Sequence, residues 1–553
     1  MINRAISDVF SLLSKLMDIH GENSFKSKSY ANAAFQIDRL PVELATCARE
    51  DIAGLKGIGD STAKKIIEIL ETGELEALNT LIEKTPAGIL ELLKIKGIGP
   101  KKIATIWHEL GIESPGELLY ACDENRLIHY KGFGEKSQES IREALEFYFS
   151  NQQRHLYAAI EKTAEQFHDI LANYFGEENI SLTGSFLRQC DIVDELEWVI
   201  CGDVESVEQT LKELTEISLE KSEEDQLHYL LHEAVRLKIH CVDDRIFDQR
   251  IFESSCSSEF LSSFKDAFPN INLNQSDRGI FQEAGLPLML PCLREDARHL
   301  TTAKLNKILP LIQIKDIRGI IHNHSTWSDG EHSIAEMAQA CIDRGYEYLV
   351  MSDHSVSSFY ANGLSVERIK QQQEEINLLN EKLAPFKIFK SIECDILNDG
   401  RLDYDDDVLN SFDLVIASVH QNLKMTEERA MQRILTAVQH PAVRILGHAS
   451  GRLLLSRKGY PLNYPVLIEA CKKHDVVLEI NANPRRLDID WTWIQSAAEA
   501  GVMLSINPDA HKTSGIDDVR YGVMCAQKGM LTPASNLSSL SLAEFEMFLN
   551  RKN

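Results

Sequence analysis

The chain lacks a Cys-x-x-Cys pair, an apolar run of the roughly 18 residues a membrane helix needs, and any surplus of basic side chains. Its 11 cysteines are scattered, which excludes a disulfide scaffold and fits a reducing compartment. The opening stretch MINRAISDVFSLLSKLMDIHG is amphipathic and carries no apolar export core or cleavage signature. The reading is a cytoplasmic protein with no membrane span. With 84 acidic against 58 basic side chains the formal charge is −26, which excludes a basic histone-like binder. Any contact with nucleic acid must then be local. A hydrophobic share of 44% excludes a disordered chain, and 553 residues allow roughly three to five domains, each with its own core.

The first stretch reads as helices. Val9, Leu12, Leu13 and Leu16 fall at helical spacing, and Tyr30, Ala33, Ala34 and Ile37 repeat the pattern. From Leu55 the chain reads L-K-G-I-G-D-S-T-A-K-K-I-I and returns at Ile95 as I-K-G-I-G-P-K-K-I-A-T-I. A looser copy, Y-K-G-F-G-E-K-S, starts at Tyr130, so one small helical unit is repeated. Between 151 and 300, ISLTGSFL and ELEWVICG read as strands beside a helix in VEQTLKELTEI, an α+β region. Beyond Arg318, the apolar runs GIIHNHS, YLVMSDHS, LVIASVHQ, RILGHAS, VVLEINAN and VMLSINPD alternate with helical stretches, the periodicity of a βα barrel or parallel sheet.

Those strand ends carry His322, His324, Asp329, His354, Glu393, His420, His448, Asp509 and His511. In a βα barrel they converge on one face. H-x-H and D-x-H at a strand end each offer two donors to one ion, and one carboxylate can bridge two ions, so nine ligand types suit a cluster. A single strand-end histidine is most often a surface or hydrogen-bonded residue; the joint pattern is what carries the reading. H-N-H-S-T-W-S-D-G, S-D-H-S, I-E-C-D-I-L, G-H-A-S-G-R-L-L, L-E-I-N-A-N-P-R-R-L-D and S-I-N-P-D-A-H resemble the polymerase-and-histidinol-phosphatase (PHP) phosphoesterase domain, in the version fused to bacterial family X DNA polymerases. The resemblance implies a distorted (β/α)7 barrel with a centre of about three Mn or Zn ions. It implies His322, His324, Glu393 and Asp509 at the first ion, Glu393, His420 and His448 at the second, and Asp329, His354 and His511 at the third. Ala449 and Pro508 depart from the family pattern without touching a ligand. Arg452, Arg485, Arg486 and Lys512 lie beside these motifs and are candidates to clamp phosphate; solvated rim charge is the equal alternative for each.

In the repeats, glycines permit a tight hairpin whose amides, with the next helix N-terminus, can face a phosphate. Lys56, Gly57, Gly59, Lys64 and Lys65, then Lys94, Lys96, Gly97, Gly99, Lys101 and Lys102, form the local basic patch. They resemble helix-hairpin-helix units, which grip the DNA backbone without base specificity. G-E-N-S-F-K-S-K-S-Y-A-N-A-A resembles the DNA-end-binding domain of family X polymerases; that likeness implies a lyase lysine at Lys65, although a phosphate contact is the simpler role. L-T-G-S-F-L-R-Q-C-D-I-V-D-E-L-E-W-V-I resembles the family X palm. Gly184, Ser185 and Arg188 persist, but the metal-binding carboxylate positions fall on Glu195, Glu197 and His240, a poor Mg site, and no thumb motif is recognisable near Ser262 to Asp266.

The expected order is an N-terminal helical DNA-end-binding domain with the first hairpin (1–75), further hairpins (76–150), a degenerate palm (151–245), a thumb-like remnant (246–300), a linker (301–317) and the PHP domain (318–553). The expected function is a monomeric DNA-repair protein. It would bind nicked, gapped or abasic DNA and hydrolyse phosphodiester or 3′-phosphate bonds by 3′-5′ exonuclease or related end processing, with polymerase activity lost. Three alternatives stay open: an active family X polymerase, a DNA-binding scaffold with a silent barrel, and a small-molecule phosphatase.

Overall fold

The computed structural model describes residues 3–550 except 56–57, 124–126, 128–129, 131, 151–153, 233–234, 306–307, 359–360 and 456–457. The chain divides into two units, Met1–Gln152 and Gln153–Asn553.

In the first unit, Ile6, Phe10, Leu13, Leu16 and Met17 fall on one face of the helix Asn3–Ile19 and are buried. They meet Tyr30, Ala33, Ala34 and Ile37 of the helix Ser24–Asp38, where alanines let the two backbones come close. Ser7 Oγ donates to the Ala34 carbonyl at 2.8 Å and Ser14 Oγ to that of Ser27 at 2.9 Å, pinning the pair. In the second hairpin, Gly97 adopts φ +94° with open space where a side chain would go, so glycine is there for its backbone conformation and not for room. Gly99 is extended and caps the helix Pro100–His108, with proline in the first turn. The third hairpin repeats this: Gly132 has φ +95° and Gly134 precedes the helix Glu135–Ser150. In the first, Gly59 caps the helix Asp60–Thr72; Lys56 and Gly57 lie outside the described residues.

The second unit opens with a mixed five-stranded sheet in the order Ile180–Thr183, Leu196–Cys201, Val235–Val242, Gln226–Leu231, Ile217–Ser222. Only Leu196–Cys201 and Val235–Val242 run parallel. The helix expected over VEQTLKELTEI ends at Leu211, and its apolar tail instead enters the edge strand Ile217–Ser222, because the sheet offers it hydrogen-bond partners along Gln226–Leu231. Residues 246–300, expected as a remnant, form a helical segment with an aromatic core of Phe252, Phe260, Phe264 and Phe281. Fully buried Arg294 sits among those rings, donating to Ser255 Oγ at 2.7 Å and to the Met289 carbonyl. Residues 301–317, expected as a linker, carry the end of the helix Ala297–Lys304 and bury Ile312 and Ile317 in the barrel core.

Seven parallel strands follow in sequential order, Gly319–Ile320, Tyr348–Met351, Lys387–Asp395, Leu414–Ser418, Val443–Leu446, Val477–Asn481 and Leu504–Asn507. All but Lys387 and Lys390 in these strands are buried, as a sheet covered on both faces requires. Asn323 bridges Ala510, and the His324 amide donates to the Ala510 carbonyl at 2.9 Å, so the first and last strands nearly close a (β/α)7 barrel. At the strand starts, the helix Leu542–Leu549 presses Phe545 onto Tyr348 (ring centroids 4.5 Å) and Phe389 (4.9 Å). The strand ends are left to the polar residues.

Candidate metal centre

Six of the seven strands deliver the nine expected residues at or just past their C-terminal ends, and all nine fall into sets whose donor atoms lie within 4.8 Å of one another. The sets are His324, Asp329, His354 and His511; His322, Glu393 and His448; His322, His324 and Asp509; and His354, Glu393 and His420. The grouping differs from the expected one: His324 also joins the Asp329 set, His354 joins Glu393 and His420, His448 falls with His322 and Glu393 instead of with His420, and Glu393 is not in the set of His322, His324 and Asp509. Glu393 is the hub. Its Oε1 lies 3.0 Å from His420 Nε2 and 2.9 Å from His448 Nε2, and its Oε2 lies 2.9 Å from His354 Nδ1. His322, His448 and Asp509 hold positive φ angles of 65°, 24° and 53°, unusual for side-chain-bearing residues and a recurrent feature of functional sites.

The electrostatics fit bound cations. Burial alone would depress His322 and His420, yet Glu479, Glu393 and Asp509 around the first, and Glu393 and Asp395 around the second, hold both well above the ordinary imidazole range. Burial opposes ionisation of Glu393 and Asp509 too, but the surrounding histidines hold both well below the carboxylate range. Burial, with His511 and His354 beside it, pushes His324 down to about 3. The carboxylates thus draw in positive charge, which in the protein alone comes from imidazolium protons and, at Asp509, from the Arg486 guanidinium. His322 Nε2 and His324 Nδ1 are buried without a hydrogen-bond partner among the described residues. A nitrogen-and-oxygen donor set of this kind suits Zn or Mn.

A further layer, absent from the sequence expectations, orients these groups. Glu479, on the one strand that contributes no residue to the cluster, accepts from His322 Nδ1 at 2.6 Å, the His448 amide at 3.1 Å and Asn507 Nδ2 at 2.8 Å. Asp395 meets His420 Nδ1 at 2.7 Å. Each leaves the other ring nitrogen facing the cluster, the usual way a carboxylate orients a ligating histidine. Asp353 accepts from the Ser325 amide and hydroxyl at 2.8 and 2.7 Å and from Gln372 at 2.6 Å, fixing the H-N-H loop. The signal for Glu479 was present: a carboxylate inside V-V-L-E-I, a run otherwise fit for burial.

The basic candidates divide. Arg486 Nε stands 3.6 Å from Asp509 Oδ2, at the cluster, while Arg485 and Lys512 are exposed beside it in sequence. Arg452 points away. Its side chain is 16% exposed, and its guanidinium pairs with Asp490 and with Asp191 at 3.2 Å and donates to the carbonyls of Arg486 and Leu487, which leaves no fork for phosphate. In the hairpins Lys64, Lys94, Lys96 and Lys101 are exposed, Lys65 is half-buried, and Lys102 Nζ donates to Ser137 Oγ at 3.0 Å. Phe25, Lys28, Ser29, Gly59, Asp60 and Ser61 line a groove at the first hairpin; Lys65 does not line it.

At the palm, Glu197 meets His240 Nε2 at 3.3 Å, and its carboxylate fills the space over Gly184 that a side chain would need. Lys238 Nζ stands 3.8 Å from Glu195 and 3.6 Å from Glu197, and Arg250 reaches the far side of His240 at 3.4 Å. Arg188 is spent on Glu295 at 2.6 Å and on the carbonyls of Ser254 and Cys256. Ser185 is half-buried at the start of the short helix Gly184–Leu187.

A helix-hairpin-helix domain family matches residues 1–75 and a SAM-like helix-hairpin-helix tandem family matches residues 89–146. A DNA polymerase/3'-5' exonuclease PolX of Bacillus subtilis (strain 168) is 35% identical over 99% of both chains. Probable phosphatases of Thermoanaerobacter sp. (strain X514) and of Caldanaerobacter subterraneus subsp. tengcongensis are each 27% identical over 34% of this chain, covering 77% and 74% of their own lengths. Two hairpin modules, a palm-like sheet, a seven-stranded barrel with clustered histidines and a full-length relative agree: the chain belongs to the bacterial family X DNA polymerases that carry a C-terminal PHP domain.

Proposed function

We propose that the protein is a cytoplasmic DNA-repair enzyme that grips nicked, gapped or abasic DNA through its hairpins and hydrolyses phosphodiester or 3′-phosphate bonds at the end. The observation that carries this is the convergence of nine donor-bearing side chains on one barrel mouth. His322, His324, Asp329, His354, Glu393, His420, His448, Asp509 and His511 would hold the cations, Mn or Zn. Divalent cations there would neutralise phosphate oxygens and acidify the attacking water. Glu479 and Asp395 hold His322 and His420 in the tautomers that face the cluster, and Arg486 supplies a fixed cation for a phosphate oxygen. Exposed Lys64, Lys94, Lys96 and Lys101 contact backbone phosphate, and the groove beside Gly59 receives the DNA end. The relative's printed name couples polymerase and 3'-5' exonuclease; for this chain we propose the second alone. Glu195 and Glu197 are already engaged by Lys238 and His240, and Arg188 is held by Glu295, so the palm is not arranged to hold two Mg ions and a triphosphate.

The test is a 5′-labelled gapped duplex incubated with the full chain and Mn, with and without deoxynucleotides. Shortening of the primer that is lost in His322→Ala and Glu393→Ala, with DNA affinity unchanged, is expected. Templated lengthening that disappears in Glu195→Ala with Glu197→Ala would promote the polymerase reading instead.

A further inference from the structure

The buried contacts around Arg452 join the palm region to the barrel mouth. Asp191 lies just after the palm's Gly184–Leu187 helix and is 14% exposed; its carboxylate meets Arg452 at 3.2 Å. Arg452 stands four residues beyond His448, and its guanidinium holds the carbonyls of Arg486 and Leu487 and the carboxylate of Asp490. The two loops it spans are bound again by Ser450, whose amide and hydroxyl both donate to Asp488 at 3.0 Å. Leu487, with φ +44°, holds a conformation its side chain disfavours, so the loop needs outside support. That loop carries Arg486, 3.6 Å from Asp509. A guanidinium offered to four partners at once is pre-organised in a way a lysine is not.

We infer that Asp191 and Arg452 are positioning residues for the barrel: the palm, through this pair, holds Arg486 where it meets a phosphate oxygen. The inference rests on the phosphoesterase reading above and goes beyond it, because it assigns the palm a working part in the barrel's chemistry. A second palm contact supplies the control. Glu161 pairs with Arg520 and accepts from Tyr521 at 3.0 Å on the helix Val519–Lys528, and neither partner is Arg452 or Arg486.

The experiment uses the full chain loaded with Mn. Inorganic phosphate affinity is read by calorimetry, and hydrolysis of bis(p-nitrophenyl) phosphate gives KM and kcat separately. Asp191→Asn is expected to weaken phosphate binding and raise KM about tenfold, the low end of what loss of an orienting partner costs, with bound Mn unchanged. Arg452→Lys should do the same, Asp191→Glu should recover most of the loss, and Glu161→Gln should leave both constants alone. Arg486→Ala should match the Asp191→Asn effect, and the double variant should lose no more than either single one, since both act on one contact. Additive losses, an equal effect of Glu161→Gln, or unchanged phosphate affinity in folded Asp191→Asn and Arg452→Lys would each overturn the inference. So would failure of both variants to fold, which would make the pair a determinant of the fold. If the unaltered protein hydrolysed nothing, the proposed function would fall, and phosphate affinity alone would decide the role of Asp191.

Discussion

Glu479 shows how much of the site depends on a residue outside the cluster. Each of its oxygens receives N–H groups, from the His448 amide and Asn481 on one side and from His322 and Asn507 on the other. Glu479→Gln would turn one of those acceptors into a donor facing a donor. The expected result is a 10- to 100-fold fall in metal affinity, roughly the range for orienting partners of metal ligands, measured by competition with a chelator. The nine donors themselves were legible because H-x-H, D-x-H and single histidines recur at successive apolar runs. Their orienting carboxylates were legible only as acidic residues inside apolar runs, because such a residue carries no sign of what its carboxylate faces. Arg452 taught the converse: proximity in sequence to His448 suggested a phosphate clamp, while its partners Asp191, Asp490 and the Leu487 carbonyl come from elsewhere in the chain.

Among the elements, the hairpins were the most readable, since a glycine repeat is a local statement about φ. Gly97→Ala would force a side chain into φ +94° with nothing to gain by contact, and should cost about 1 kcal/mol or more in denaturant unfolding. Lys96 and Lys101 are exposed beside it, so Lys96→Ala with Lys101→Ala should weaken binding to every DNA sequence alike and reduce the slope of log K against log salt by about 1.8. An unchanged slope would mean that the lysines do not touch phosphate. The segment 246–300 is hard to read from sequence because its helices are short and phenylalanines from separate helices meet across Arg294. Its link to the palm is titratable. Burial opposes ionisation of Glu295, but Lys528 and Arg188 outweigh it and hold the carboxyl below its usual range. A depressed carboxylate stabilises the fold above its ordinary value near about 4.3 and loses that contribution as the pH falls through the folded value. Glu295→Gln should therefore lower the melting temperature at pH 7, and the gap to the unaltered protein should narrow on acidification toward about pH 3.

For the whole molecule, the −26 charge and the exposed hairpin lysines act in opposite directions on a polyanion, so DNA affinity should depend steeply on salt while barrel hydrolysis of a small phosphodiester should not. Comparing the two salt profiles checks that gripping and cutting are separable. Fold class was legible because alternating strands and helices admit few arrangements; which strands would meet at the seam was not, since that contact is set by closure of the whole sheet. The seam also bears on how the protein is made. His324 and Asp509 meet although they are 185 positions apart, and the Asn323 and Ala510 bridge lies beside them. Loop-closure entropy makes so distant a pairing a late event in folding, after the neighbouring strands have paired. A nascent or partly folded chain therefore has histidines but no complete cluster, and stoichiometric metal uptake would report that the last strand has found the first.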